Sequence, residues 1–368
     1  MGMDIIMNKI GYIVSTLENS GPVNIMYNII KYLDKKEFNN IYIYTLSEEK
    51  INSRKKEFED LGCIVKKINI TNKDIILGNI NQIENILEED GIQVLHSHCL
   101  RSNIVLEKIK LKLKKICTIH ANIREDYKFK FGKLKGRILE KIYLKTLKNI
   151  DEKICCSESV YKDMKKLTKE NLKYITNGVD LEKFKIEKSK EESRKLLKIN
   201  QEEQIFISVG SLCDRKDALF IAKNIEKLEL SNYKMIFLGE GNQKIKIENL
   251  KNSNIVLTGK VSNVKEYLNA ANFYISASNS EGMPNSVLEA AAFKLPLILS
   301  NIESHLEIYE CNRLCGEVFD KNIDSDFLDK MKLILDVDYK KASEASYKIV
   351  TEKLNAVNMS QLYAKYYI

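Results

Sequence analysis

Short apolar runs alternate with stretches of helical periodicity along the first half of the chain. Residues 9–16 (Lys-Ile-Gly-Tyr-Ile-Val-Ser-Thr) read as a buried strand, and apolar residues at 26, 29, 30 and 33 place a helix over 23–33. Strands follow at 41–46, 63–68, 93–96 and 116–120, with helices at 51–61 and 75–90 between them. This β-α-β-α order predicts a parallel sheet with helices on both faces. Residues 108–115 resist the pattern: they alternate apolar and basic with period two, as a strand does, where the topology asks for a helix. A helix is expected there. Further on, 133–150 and 159–167 read as helices and 151–157 as a strand.

Asn177-Gly178-Val179-Asp180 is a turn, because Asn-Gly tolerates positive φ. Residues 182–204 are charged and poorly apolar and read as a linker with one short helix. The strand pattern restarts at 205–211 and recurs at 235–238, 255–261, 272–277 and 297–300. The last stretch, 339–368, reads as one or two helices. The expected organisation is an α/β domain over 1–182, a linker over 183–204, a second α/β domain over 205–345 and a helix over 346–368 that returns to the first domain. A length of 368 residues suits two domains rather than one core.

Composition narrows the function classes. An apolar content of 44% is that of a globular chain, no apolar run reaches 18 residues, and residues 1–8 lack a signal-peptide core. Eight cysteines without a C-x-x-C pair imply buried, reduced thiols in a cytosolic protein, not a disulfide framework or a zinc site. The net charge of +8 is uneven: residues 101–150 hold 15 Lys/Arg and 4 Asp/Glu, so the remainder carries −3. Lys133, Arg137, Lys141 and Lys145 recur at four-residue spacing, beside Leu134, Ile138 and Ile142. A basic amphipathic helix of this kind fits an anionic membrane surface. Nucleic acid is not expected, because no aromatic-interleaved or helix-turn-helix signature accompanies the charge.

The richest stretch for chemistry is Ser-Glu-Gly-Met-Pro-Asn-Ser-Val-Leu-Glu-Ala, residues 280–290, between an apolar strand and the start of a helix. Glu281 falls at the strand-to-helix turn, Gly282 lets the backbone bend, and Pro284 suits the first helical turn. The amides of Asn285, Ser286 and Val287 then become first-turn donors able to face an anion such as phosphate. Glu281 and Glu289 can accept hydrogen bonds from the hydroxyls of a sugar and a ribose. Their alternative is a pair of solvated helix-end carboxylates.

This stretch resembles the E-x7-E signature of the retaining glycosyltransferases of the GT-B fold, glycosyltransferase family 4 in particular. The resemblance extends over nearly the whole chain. It implies two doubly wound, Rossmann-like domains facing a cleft, and transfer of a glycosyl unit from a nucleotide sugar, UDP-linked, to a hydroxyl acceptor. It places Glu281 on the donor sugar and Glu289 on the ribose, with Gly282, Met283, Pro284, Asn285 and Ser286 lining the donor. The family's G-R-L-x-x-x-K-G loop has its counterpart from Gly210, with Lys216 on the diphosphate. Ser211 stands where the arginine belongs and Asp217 replaces the last glycine, so Arg215 is expected to supply the missing charge.

Gly259-Lys260-Val261 resembles the family's G-x-V loop beside the nucleobase, and Gly239 follows the preceding strand. In the first domain Gly21, within Ser20-Gly21-Pro22, stands where the family has a Gly-Gly pair, and His120 matches the histidine that contacts the sugar's primary hydroxyl. For Gly21 a tight turn, and for His120 a buried or capping histidine, remain the alternatives. No metal or other cofactor is expected, since cations and a helix terminus stabilise the leaving diphosphate. The implied acceptor is a glycan or lipid-linked hydroxyl. A nucleotide-sugar epimerase and a non-catalytic nucleotide-sugar-binding subunit share the architecture and stay open.

Overall fold

The computed structural model describes residues 9–323 and 325–368. The chain forms two compact units, one running to Asn177 and including Ala356–Ile368, the other Gly178–Asn355.

The first unit is built on seven parallel strands: β1 (Ile10–Val14), β2 (Ile41–Thr45), β3 (Ile64–Lys67), β4 (Val94–Ser97), β5 (Lys114–Ile119), β6 (Glu152–Cys155) and β7 (Leu172–Tyr174). Their order is β3-β2-β1-β4-β5-β6-β7, with Ile10 of β1 opposite Ile41 on one side and Val94 on the other. Every residue of β1 is buried, as a near-continuous apolar strand covered on both faces must be. The helix Gly21–Lys31 buries Ile25, Met26, Ile29 and Ile30 in the same core as Met359, Tyr363 and Tyr367. The C-terminal helix Ala356–Ala364 thus belongs to the first unit, and Ser360 Oγ donates to the Ile29 carbonyl at 2.7 Å. The return begins at Ala356 and not at 346, because the helix Tyr339–Lys348 packs on the second unit, where Ser346 Oγ bonds the Leu295 carbonyl at 2.7 Å.

Three local expectations are corrected. The helix expected over 108–115 lies earlier, at Leu100–Lys108; Ile109 is extended, and the period-two segment feeds β5 from Lys114. The helix expected over 75–90 is two, Asn72–Leu77 and Asn81–Glu89. The basic helix expected over 133–150 is the second arm of a hairpin within Ile123–Thr146, broken where Gly132 takes φ 78°. That left-handed backbone is open to glycine at little cost. The arms fold back on each other: the Arg124 guanidinium grips the Glu140 carboxylate at 2.7 and 3.0 Å, and the Tyr127 and Tyr143 rings lie 6.3 Å apart.

The second unit carries six parallel strands: β8 (Gln204–Val209), β9 (Tyr233–Leu238), β10 (Ile255–Gly259), β11 (Phe273–Ser276), β12 (Leu297–Ser300) and β13 (Gly316–Phe319). The order is β10-β9-β8-β11-β12-β13. Phe206, Phe237, Phe273, Phe319 and Phe327 fill its core, with the Phe319 and Phe327 rings edge to face at 5.0 Å. The expected linker over 183–204 is instead part of this unit. Its helix Lys190–Leu197 buries Arg194, whose Nε donates to the Ala270 carbonyl at 3.0 Å and Nη2 to Asn272 Oδ1 at 2.7 Å. A charged composition concealed a packed helix, because this guanidinium satisfies its donors on backbone and amide oxygens.

Candidate active site

Parallel topology gathers the chemistry at the carboxyl ends of the strands, where open α/β sheets place their ligands. β10, β9, β8 and β11 are neighbours, so Gly259, Gly239, Gly210 and the turn bearing Glu281 share one rim. The three glycines form a ladder: the Gly239 amide donates to the Gly259 carbonyl and the Gly210 amide to the Leu238 carbonyl, each at 2.9 Å. A Cβ on Gly239 would lie 1.9 Å from the Gly210 oxygen, so glycine is required there by packing alone. Lys260 and Val261 follow β10 directly, Lys260 exposed and Val261 half-buried.

Arg215, Lys216 and Glu281 meet on this rim. Arg215 Nη1 donates to Glu281 Oε2 at 2.7 Å and to the Ser280 carbonyl at 2.9 Å, and Lys216 Nζ pairs with Glu281 Oε1. Ser278 Oγ adds a bond to Oε1 at 2.8 Å. Burial alone would raise the Glu281 carboxyl, but Lys216 and Arg215 outweigh it and hold it down at about 2. The carboxylate is therefore charged throughout the physiological range. Ser211 is exposed at the start of the loop. Asp217, at the family's glycine position, has φ 51°, which explains why a glycine suits that position. Its carboxylate pairs with Lys321.

Glu289 behaves oppositely. It lies on the helix Asn285–Ala292, just over one turn in, and burial pushes its carboxyl up to about 7 against the weaker pull of Lys183 and Lys216. Pro284 is the residue that precedes this helix rather than its first member. Of the three amides expected as free donors, that of Val287 is taken, donating to the Pro284 carbonyl at 2.9 Å. Ser286 Oγ accepts from the Tyr274 hydroxyl at 2.8 Å. Gly282, Met283 and Pro284 are buried in the turn itself.

Sequence reading missed the support behind Glu281. Ser300 Oγ donates to the Ser278 carbonyl at 2.7 Å, and His305 Nδ1 donates to the Ser300 carbonyl at 2.9 Å. His305 is fully buried, which lowers its basicity to about 4. Ser-x-x-x-x-His after a strand is too weak a signal to reveal this brace.

In the first unit Gly21 opens the helix after β1, preceded by Ser20 in extended conformation with no side-chain cap. His98 follows β4 and His120 follows β5, and His98 Nδ1 lies 2.9 Å from His120 Nε2. Below them His96 bonds the Tyr367 hydroxyl and Thr118 Oγ1, each at 2.8 Å. Burial lowers all three imidazoles, His120 to about 3, so they are neutral.

Two family profiles match the chain: "Glycosyltransferase Family 4" over residues 20–183 and "Glycosyl transferases group 1" over 189–349. The UDP-Gal:alpha-D-GlcNAc-diphosphoundecaprenol alpha-1,3-galactosyltransferase of Escherichia coli is 29% identical over 242 residues, 60% of each chain. The chain spans less than two thirds of that relative, and 38% and 37% of two others. The crystal structure of a glycosyltransferase from Rickettsia africae ESF-5 superposes with a TM-score of 0.78 at 19% identity, covering 98% of both chains. Anabaena Alr3699/HepE in complex with UDP-glucose gives 0.79 at 12% identity, covering 97% of this chain and 98% of that one. These two likenesses establish the fold as GT-B.

Proposed function

Because the chain belongs to the glycosyltransferases of family 4 and group 1, we propose that it transfers a hexosyl or N-acetylhexosaminyl unit from a UDP-sugar to a hydroxyl acceptor, with retention at the anomeric carbon. The observation that carries this reading is the triad of Arg215, Lys216 and Glu281 on the sheet rim. As the bond from the anomeric carbon to the diphosphate breaks, negative charge builds on the leaving UDP, and preorganised cations offset it. Lys216 and Arg215 supply those cations. Glu281, permanently ionised, accepts hydrogen bonds from the sugar hydroxyls, and Glu289 receives the ribose diol.

The turn Gly282, Met283, Pro284, Asn285 and Ser286 lines the donor, and Gly210, Gly239, Gly259, Lys260 and Val261 take the nucleotide end. The family pattern assigns His120 to the sugar, and Gly21 counts among the donor-binding residues as a cleft-lining turn. With charge offset by side chains, no metal or other cofactor is required. Incubation with a panel of UDP-sugars tests the proposal. Release of UDP supports transfer, isomerisation of the sugar would mean an epimerase, and binding without turnover would mean a non-catalytic subunit.

The acceptor in this reading is a glycan or lipid-linked hydroxyl at the cytoplasmic membrane face, as in bacterial surface-polysaccharide synthesis. What supports it is the hairpin. Lys133, Arg137, Lys141 and Lys145 are all exposed, and Leu134 and Ile138 beside them remain 80% and 55% exposed, with Phe129 and Phe131 exposed near the bend. Among the described residues no helix is long and apolar enough to cross a membrane. Each basic residue near an anionic surface contributes about 1 kcal/mol. Changing the four stripe residues to Gln should release the protein from anionic vesicles in co-sedimentation. Equal binding by both proteins would make the stripe a plain solvated face.

A further inference from the structure

We propose that His98 is a positioning residue that fixes the tautomer of His120, so that His120 presents Nδ1–H as a hydrogen-bond donor to its ligand. The inference rests on the assignment of His120 to the donor sugar, and it adds a residue to which the motif assigns no role.

The geometry allows two arrangements. His98 Nδ1 and His120 Nε2 lie 2.9 Å apart, and one of them must carry the shared proton. If His120 donated through Nε2–H, the proton of neutral His98 would sit on its own Nε2. That nitrogen is buried and has no hydrogen-bond partner among the described residues. The arrangement would therefore bury an N–H with no acceptor, among the rarest defects of folded chains. If instead His98 donates through Nδ1–H, its Nε2 is a bare lone pair.

The same chain holds a second example of that choice. His305 Nδ1 lies 2.9 Å from the Ser300 carbonyl oxygen, which can only accept, and 3.1 Å from Ser300 Oγ, whose proton goes to the Ser278 carbonyl. His305 is therefore protonated on Nδ1, and its buried Nε2 likewise has no partner among the described residues. His98 follows the same pattern, and its donated proton leaves His120 protonated on Nδ1. His98 cannot swivel to do otherwise. It is 2% exposed and packed among rings, stacked on His120 at 5.1 Å and tilted against His96 at 4.3 Å and Tyr12 at 5.9 Å between centroids. His120 itself is half-buried, and its Nδ1 has no partner among the described residues. A donor held this way suits a ligand oxygen that accepts, such as a sugar hydroxyl oxygen, and it stays neutral while doing so.

The test is long-range 15N–1H correlation on protein labelled at its four histidines, with the His120 signals assigned from a His120→Gln variant. The expected wild-type pattern is a protonated Nδ1 and a bare Nε2 at His120. His98→Met, whose sulfur reaches the place of Nδ1 and can accept but not donate, should shift His120 toward the Nε2–H form and lower kcat for UDP release about tenfold, with the Kd for UDP unchanged. His98→Asn, whose amide nitrogen reaches the place of Nδ1, should restore both. An Nε2–H pattern at His120 in the wild type would overturn the proposal, and so would a His120 pattern unmoved in His98→Met. Should His98→Met not fold, the wild-type spectrum and His98→Asn decide alone. If the wild type released no UDP from any donor, the functional reading would fall, while the spectra would still decide the tautomer.

Discussion

The carboxyl ends of β8 to β11 carry two cations gathered on one carboxylate, whereas those of β4 and β5 carry two histidines that burial keeps uncharged. Both rims arise from the same parallel topology, yet they offer different chemistry. One can meet a diphosphate, whose charge competes with Glu281 for Arg215 and Lys216. The other offers neutral imidazoles, whose charged forms burial disfavours, and these suit hydroxyls. The contrast repeats within the second rim. Glu281 and Glu289, eight residues apart, are driven in opposite directions, to about 2 and about 7, because Arg215 and Lys216 bond the first carboxylate, whereas burial outweighs the pull of Lys183 and Lys216 on the second.

The largest effect expected from breaking this comparison is on turnover. Arg215→Ala should reduce the rate of UDP release on the order of 10²–10³-fold, nearly as much as Lys216→Ala, if Arg215 replaces the arginine absent at Ser211. A fully active Arg215→Ala enzyme would show that Lys216 works alone.

Next come two pH windows of opposite sign. Glu281 is held below its ordinary 4.5, so its contribution to stability is complete above that value and is lost as pH falls from 4.5 towards 2. Glu289 is held above 4.5, so the native state binds the extra proton and stability falls as pH rises from 4.5 to 7. Each window amounts to about 3 kcal/mol. In chemical denaturation Glu289→Gln should therefore become more stable than wild type by up to that amount between pH 5 and pH 8. A difference that stays flat with pH would mean that Glu289 is not desolvated.

A smaller effect sharpens the neutral side. Tyr367 links the C-terminal segment to Tyr12 and His96, each at 2.8 Å. Tyr367→Phe leaves both partners short of a bond in the core, at about 1–3 kcal/mol of stability. UDP affinity, measured by calorimetry, should not change. A change would mean that the nucleotide depends on the first unit's core.

Much of the charged rim was legible, because its residues lie in two short stretches, 210–217 and 281–289, whose spacing a strand and a turn fix locally. The fold was legible for the same reason, since apolar runs at regular intervals admit few topologies. The His98–His120 pair was not, because it depends on β4 and β5 lying side by side in register, with Ser97 opposite Cys117, across 22 residues of sequence. The short helix expected within 182–204 is there, at Lys190–Leu197, but its packing was hidden because Arg194 is buried against the expectation for a charge, and the hairpin was hidden because one glycine reverses an otherwise continuous helical pattern. The free amide expected at Val287 failed on a detail of cap geometry that composition does not carry.

Division of labour between the two glutamates is tested by UDP affinity and turnover measured together for Glu281→Gln and Glu289→Ala. Glu281→Gln should bind UDP within a few-fold of wild type and lose nearly all turnover, because its contacts are to the sugar. Glu289→Ala should weaken UDP by about 1–3 kcal/mol, the worth of a charge-assisted bond to the ribose. The reverse pattern, with UDP lost in Glu281→Gln and retained in Glu289→Ala, would contradict the account.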